Sequence, residues 1–283
     1  MSAVFARPLL ATEHTEYDSG SEPLALALAR KCDAPLAIVL PLLSNPEYEA
    51  QAPALAQRAE AEAAAALQAL RQMAQAAGVA VELRARRGPE PYREIVDEAR
   101  ERGSDLIVIR RRGRRGLLAN LLVGEMVRNV VAHAPCSVLV TPRGAGMWSH
   151  RVLVAIDPQA TDMTPVATAA AVAAASNLPL SVLAVPNATT DAVQRVDNAL
   201  ALALSIARVH GIAAERLVGT GRPHQQILAS ARDTGADLLV IGRHGDDTLA
   251  RAWLGGVAQK VIGLAELPVL VCVNPISAET PSP

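Results

Sequence analysis

The residues with the clearest chemical potential are four glycines in the last third of the chain: Gly242, Gly245, Gly255 and Gly256. They follow an apolar, β-branched run at 236–241, which is typical of a buried parallel strand, and they precede apolar residues at helical spacing from Val257 onward. Glycine allows positive φ and lets a ligand approach the backbone without a Cβ in the way. Free amides and the positive end of the helix dipole lie at a helix start, so this order of elements predicts an anion site, such as one for phosphate.

A second chemically distinctive group is the run Arg110–Arg115, with five arginines in six positions. It could form an anion patch for phosphate, polyphosphate or RNA, because guanidinium groups bind such anions bidentately. It could instead be a solvated loop, partly neutralised by Glu125 or by a partner's carboxylates. We favour the solvated loop, because no aromatic residues are interleaved and the net charge is only −1. A nucleic-acid partner is not expected.

The other reactive side chains form no catalytic or metal-binding pattern. The six histidines lack metal-ligand spacing, and the sequence has no Gly-Lys-Ser/Thr phosphate loop. His244 lies inside the glycine loop, where we expect it to shape the loop or lie near phosphate rather than act as a general base. The three cysteines lack CxxC spacing and are predicted to be reduced, buried thiols of a cytoplasmic protein. We therefore predict neither a catalytic centre nor a metal site.

The segments that must position these residues occur twice in the chain. Arg7–Glu13 matches Arg151–Asp157, and Gly103–Ile109 matches Gly235–Ile241. The recurrence of the same landmarks in the same order indicates a tandem duplication. The linker at 144–146 then separates a first domain at residues 1–143 from a second at 149–276.

Each half reads as alternating strands and helices, which predicts an α/β fold: two tandem open parallel five-stranded sheets with helices on both faces. Ligands of such sheets bind beyond the carboxyl ends of the strands, where the strand order reverses. We expect each sheet to have the strand order 3-2-1-4-5, and in that order Asp157, after strand one of the second half, and Gly242, after strand four, are neighbours. The uncharged stretch from Met163 to Thr190 is long enough to span a bilayer, but Asn177 and Pro179 divide it into a helix and a strand, so no membrane span is expected.

Nearly the whole chain resembles the universal stress protein family, as two copies in tandem. The family signature is Gly-x-x-Gly, nine residues, and then Gly followed by Ser or Thr. Gly242-Arg243-His244-Gly245 and Gly255 match it, although Gly256 stands in place of the hydroxyl residue. Gly221-Arg222-Pro223 and the segment 133–140 are also family-like. The resemblance implies a bacterial stress-response protein.

The resemblance further implies an adenine nucleotide, ATP or else ADP or AMP, with or without Mg²⁺, in the second half. The candidate contacts carried over from the family are Asp157, Val185, Gly242, Arg243, His244, Gly245, Gly255, Gly256 and Val257. Asp157 would lie beside the nucleoside, and Val185 would help to hold the adenine. Because a hydrogen bond to a charged group is worth about 1.5–3 kcal/mol, the missing hydroxyl at 256 predicts weaker binding rather than none.

The first half departs further from the signature. Arg110 occupies the first glycine position, and the loop between Gly113 and Gly124 is one residue longer. Glu125 replaces the Ser or Thr, and its carboxylate suits a helix start but would repel phosphate. Although Glu13 is acidic like Asp157, we predict a degenerate site in this half.

These features favour a regulatory or sensor protein of the stress response that binds nucleotide in its second domain only. The alternatives are an interaction scaffold that binds no nucleotide and a weak ATPase, for which only Asp157 offers a carboxylate. The last strands, Ser137–Val140 and Pro268–Cys272, would be exposed edges. In the family this strand pairs with its counterpart, so the two copies should pair as a pseudo-two-fold dimer within one chain. The sequence leaves open whether two chains also form a homodimer.

Overall fold

The computed structural model describes residues 4–44, 49, 51, 53–111, 124–186, 192–243 and 254–274. In chain order, the first half contains β1 (Pro8–Ala11), α1 (Ser21–Cys32), β2 (Leu36–Leu43), α2 (Pro53–Ala77), β3 (Val81–Gly88), α3 (Pro91–Arg102), β4 (Leu106–Arg110), α4 (Glu125–His133) and β5 (Ser137–Thr141). The second half contains β6 (Val152–Ile156), α5 (Thr164–Ser176), β7 (Leu180–Ala184), α6 (Ala192–Val209), β8 (Ala214–Val218), α7 (Pro223–Asp233), β9 (Leu238–Gly242), α8 (Gly256–Leu264) and β10 (Val269–Cys272).

The strands form one ten-stranded sheet in the order β3-β2-β1-β4-β5-β10-β9-β6-β7-β8. Each half has the predicted order 3-2-1-4-5 with parallel neighbours, which confirms the fold class. The two sheets are not separate, because β5 and β10 pair antiparallel with Val140 opposite Val269 and Val138 opposite Val271. This pairing covers both apolar edges, as the sequence predicted.

Helices cover both faces of the sheet and bury two apolar layers. On one face, α1, α2, α5 and α6 contribute Leu24, Leu70, Val166 and Leu200. On the other face, α3, α4, α7 and α8 contribute Ile95, Val127, Ile227 and Val261. Successive side chains of the inner strands point alternately into the two layers, and both layers are apolar. These strands are therefore continuous apolar runs in the sequence. Each layer contains residues from both halves, so the core continues across the junction of the two copies.

The helix boundaries follow local sequence signals. Pro91 and Pro223 begin α3 and α7, where a missing amide costs nothing. Gly103 and Asn177 end α3 and α5 in the left-handed conformation, with φ of 58° and 53°. The uncharged stretch is therefore broken where predicted, and β7 follows it. Within the described ranges, no helix has both the length and the apolar character needed to cross a membrane.

A repeated carboxylate sets the register between the first and fourth strands of each half. Asp105 accepts hydrogen bonds from the amides of Ala6 and Arg7 at 2.7 and 3.1 Å. Asp237 accepts corresponding bonds from the amides of His150 and Arg151 at 2.9 and 3.0 Å. As a result, Pro8 pairs with Leu106 and Val152 with Leu238. In this register, Glu13 corresponds to Asp157 and Arg110 corresponds to Gly242.

Candidate functional site

The second-half site lies where β6 and β9 end side by side. Ala155 pairs with Ile241, so the next residues along both strands, including Asp157 and Gly242, lie at the same edge of the sheet. The Asp157 carboxylate accepts a hydrogen bond from the Gln159 amide at 2.9 Å and forms no ion pair with any described residue. The predicted meeting of an acidic residue and a glycine is therefore present, with the carboxylate not neutralised by a described cation.

The start of α8 forms the second wall of this site. The Gly255 amide donates to the Arg243 carbonyl at 3.2 Å, and the Gln259 amide makes the first intrahelical bond, to the Gly255 carbonyl at 2.9 Å. The amides of Gly256 and Val257 precede that bond, as is usual in the first turn of a helix. Both residues are exposed, and a Cβ at Gly256 would meet no heavy atom within 4 Å. This helix start can therefore donate hydrogen bonds to an anion.

Val185 lies at the far side of the site, directly after β7. Its side chain is buried and packs against the turn between β8 and α7. A Cβ on Gly219 would lie 3.1 Å from Val185 Cγ2 and 3.0 Å from Gln226 Cβ, so glycine allows a close approach here that a larger residue would have to loosen. Our sequence reasoning missed Gly219, although a glycine soon after a strand was a usable signal.

Three basic residues near the starts of α7 and α8 were also missed. Burial lowers the pKa of His224 below its usual 6.5, and the positive charges of Lys260 and Arg222 lower it further. Lys260 on α8 lies 36 positions after His224 on α7, so no local spacing signals the cluster. Its net positive potential lies beside the helix starts and favours an anion in the same region.

Two of the predicted contacts, His244 and Gly245, lie outside the described residues, and so do Arg112, Arg114 and Arg115. The interpretation of the arginine run as a solvated loop is wrong for Arg110, whose side chain is only 6% exposed. Its guanidinium is neutralised by Glu13 and Asp18, not by Glu125.

The first-half site is filled by this guanidinium. Arg110 Nη2 lies 2.6 Å from Glu13 Oε2, and Nη1 lies 2.7 Å from Asp18 Oδ2 and also donates to Thr15 Oγ1. Asp18 is fully buried, and its Oδ2 also accepts from the Thr15 amide at 2.9 Å. Where the second half has a glycine, the first half therefore has its own cation bound to its own acids.

Arg111 and Arg243, at equivalent positions, make reciprocal contacts across the junction. Arg243 Nη1 donates to the carbonyls of Ala132 and Ala134, at 3.1 and 3.4 Å, at the end of α4. Arg111 Nη1 donates to the carbonyls of Gly263, at 3.1 Å, and Ala265, at the end of α8. Burial lowers the pKa of both guanidinium groups, and the negative ends of the helix dipoles offset that cost. The Arg243 side chain thus points to the first half, and only its backbone borders the site.

Comparison with known proteins places this geometry in a family. The universal stress protein family profile matches residues 23–142 and 149–273. A universal stress protein of Methanocaldococcus jannaschii is 36% identical over 61 residues, which are 22% of this chain and 38% of that protein. One of Bacillus subtilis is 38% identical over 61 residues, which are 22% of this chain and 41% of that protein. The match thus spans about two fifths of the length of these relatives.

Among solved structures, a universal stress protein of Archaeoglobus fulgidus superimposes with a TM-score of 0.74 at 19% identity, over 95% of this chain and 96% of that chain. A protein of unknown function from Pseudomonas aeruginosa superimposes with a TM-score of 0.67 at 18% identity, over 98% of this chain and 96% of that chain. These structures share the fold over nearly their whole length. With the family profile matched in both halves, this chain belongs to the universal stress protein family and carries its domain twice.

Proposed function

We propose that this protein is a cytoplasmic stress-response regulator or sensor that binds ATP or another adenine nucleotide in its second-half site only. The observation that carries the proposal is the contrast between Arg110 and Gly242. In the first half, the guanidinium of Arg110 pairs with Glu13 and Asp18 and occupies the site at the end of β4. In the second half, the equivalent residue has no side chain, and Asp157 has no cationic partner among the described residues.

The proposed roles follow the chemistry of each group. The α8 amides at Gly256 and Val257 donate to phosphate oxygens, and Lys260 and Arg222 add positive charge nearby. The Asp157 carboxylate accepts hydrogen bonds from the nucleoside, and Val185, directly after β7, helps to hold the base. No group of three metal-ligating side chains occurs in the described part of the chain.

The two glycines at the starts of α4 and α8 supply a matched test. Gly124 has φ −55° and ψ 145°, and Gly255 has φ −57° and ψ 145°, so valine carries the same backbone cost at both positions. Titration calorimetry with ATP and ADP should detect one nucleotide per chain. Gly255→Val, which puts a branched side chain at the phosphate, should abolish binding, and Gly124→Val should preserve it.

Other results would reject the proposal. Two nucleotides per chain, or equal losses from both valine variants, would contradict the asymmetry between the halves. No heat and no thermal shift at millimolar nucleotide would favour the scaffold without a nucleotide. If the protein releases phosphate from ATP and Asp157→Asn abolishes that release, the result would instead support the weak ATPase.

A further inference from the structure

Arg243 contacts three elements through three different groups. Its amide donates to the Cys272 carbonyl of β10 at 3.2 Å, and its carbonyl accepts from the Gly255 amide at the start of α8, also at 3.2 Å. Its guanidinium crosses the junction to the carbonyls of Ala132 and Ala134 at the end of α4. A single residue thus joins the helix start of the second-half site to the first half.

The side-chain contact is specific rather than incidental. The guanidinium is half-buried, and its buried Nε has no hydrogen-bond partner among the described residues. The two hydrogen bonds of Nη1 and the negative end of the α4 dipole offset the cost of burying the charge and hold the group in place. The backbone of Arg243 is also hydrogen-bonded to β10 through its amide and to α8 through its carbonyl. Anchoring the side chain at α4 therefore restrains the Arg243 carbonyl that accepts the hydrogen bond from the Gly255 amide.

We propose that Arg243 is a positioning residue through which the first half sets the geometry of the second-half site. The end of α4 anchors the Arg243 side chain, and the Arg243 carbonyl anchors the start of α8. The first half then serves as a support for a site that it does not itself contain. The consequence for nucleotide affinity rests on the proposed function, whereas the restraint on the helix start does not.

By linkage, the coupling acts in both directions. An anion that orders the start of α8 also strengthens the contact between Gly255 and Arg243, and through it the junction with α4. Nucleotide binding in the second half would therefore strengthen the contact with α4 in the first half. This coupling gives the tandem arrangement a route for signalling.

Arg111 provides the matched control, because it makes the same kind of contact in the opposite direction. Its amide donates to the Thr141 carbonyl of β5 at 2.7 Å, as that of Arg243 does to β10. Its guanidinium donates to carbonyls at the end of α8, away from the helix start. Methionine at either position keeps an unbranched apolar stem and removes the cross-junction hydrogen bonds, so both variants lose similar contacts.

The first experiment needs no ligand. Amide hydrogen exchange at Gly255, followed by NMR in the full chain, should speed up about tenfold in Arg243→Met and stay unchanged in Arg111→Met. Arg243→Lys retains a donor for the α4 carbonyls and should lie closer to the wild type than Arg243→Met. Equal effects of the two methionine variants, or no effect of either, would overturn the proposal.

The second experiment measures ATP affinity in the same proteins. Arg243→Met should weaken binding about five- to tenfold, the lower part of the range usual for coupled sites, and Arg111→Met should change it less than about twofold. Equal weakening in both would show that the junction as a whole matters and not Arg243. If the wild type binds no nucleotide, the proposed function fails, and the exchange rates at Gly255 still decide the role of Arg243.

Discussion

The guanidinium of Arg110 lies 2.6 Å from the carboxylate of Glu13, at the place where the second half has Gly242 beside Asp157. The backbone frame around the two positions is the same, since both lie at the end of the fourth strand next to the first. One copy therefore neutralises its acid internally, while the other has a carboxylate without a described cationic partner and a backbone without a side chain. This difference of one side chain underlies the functional asymmetry proposed for the two halves.

Replacing Arg110 should strongly destabilise the protein. Arg110→Ala leaves the buried Asp18 carboxylate without its cation, and breaking a buried pair costs about 3–5 kcal/mol in the free energy of unfolding. Arg143→Ala is the matched control, because Arg143 also lies over the Tyr17 ring but pairs with Glu16 where both side chains are mostly exposed. We expect it to cost less than about 1 kcal/mol. Denaturant unfolding measures both, and similar losses would contradict a stabilising role of the buried network.

Restoring the family's hydroxyl should strengthen nucleotide binding. Gly256→Ser places a side chain where a Cβ meets no heavy atom within 4 Å, and its hydroxyl can donate to phosphate. A hydrogen bond to a charged group, about 1.5–3 kcal/mol, corresponds to a gain in affinity of about tenfold or more. Gly256→Ala improves the helix without a hydroxyl and should leave the affinity measured by calorimetry unchanged. A gain in the alanine variant as large as in the serine variant would refute phosphate contact at this position.

The pKa of His224 predicts a pH-dependent contribution to stability. Burial, Lys260 and Arg222 lower that pKa in the folded protein below the usual 6.5. At pH values between the folded pKa and the unfolded pKa of 6.5, His224 binds more protons in the unfolded chain than in the folded one. The contribution of neutral His224 to the free energy of unfolding is therefore fully present above pH 6.5 and is lost as the pH falls through the folded pKa.

Thermal unfolding between about pH 5 and 7 measures the effect. His224→Gln should flatten this part of the profile. Lys260→Gln should flatten it partly, because it removes one of the charges that lower the pKa. A profile unchanged by either variant would exclude this cluster as its source.

The cysteines should differ in reactivity toward a thiol reagent such as an aromatic disulfide. Burial raises the pKa of Cys136 and Cys272 to about 12, so few thiolates form at neutral pH, and the thiolate is the reactive species. Cys32 is only partly buried. We expect one fast-reacting thiol per native chain, absent in Cys32→Ser, and three after denaturation. A second fast thiol in the native protein would contradict the burial of the other two.

Much of the fold could be predicted from the sequence because it is set by local signals. Pro91 and Gly103 mark the ends of α3 through backbone geometry alone. The duplication and the parallel sheet follow from repeated apolar runs, each short enough to be a strand, whereas the strand order was expected from the resemblance to the family. The pairing of β5 with β10 was expected because two apolar edges needed cover and because this strand pairs with its counterpart in the family that the sequence resembles. None of these predictions required knowledge of a distant side chain.

The contacts of Arg110, Arg111 and Arg243 could not be predicted in this way. Arg110 meets Glu13 across 97 positions, Arg243 meets Ala132 across 111, and Arg111 meets Ala265 across 154. A run of arginines in a sequence resembles a solvated loop, because the compensating carboxylates and helix ends are not nearby in the chain. Likewise, the cluster of His224, Arg222 and Lys260 exists only once α7 and α8 lie side by side.

The sequence by itself determined two copies of a parallel α/β unit and which copy retains the glycines, since backbone conformation and apolar periodicity are encoded locally. Only the tertiary structure decided that Arg110 fills the first site and that Arg243 reaches from the second site to the first half. The physical reason is that a buried charge takes its role from the partners that desolvate and neutralise it. Those partners come together only when the chain has folded.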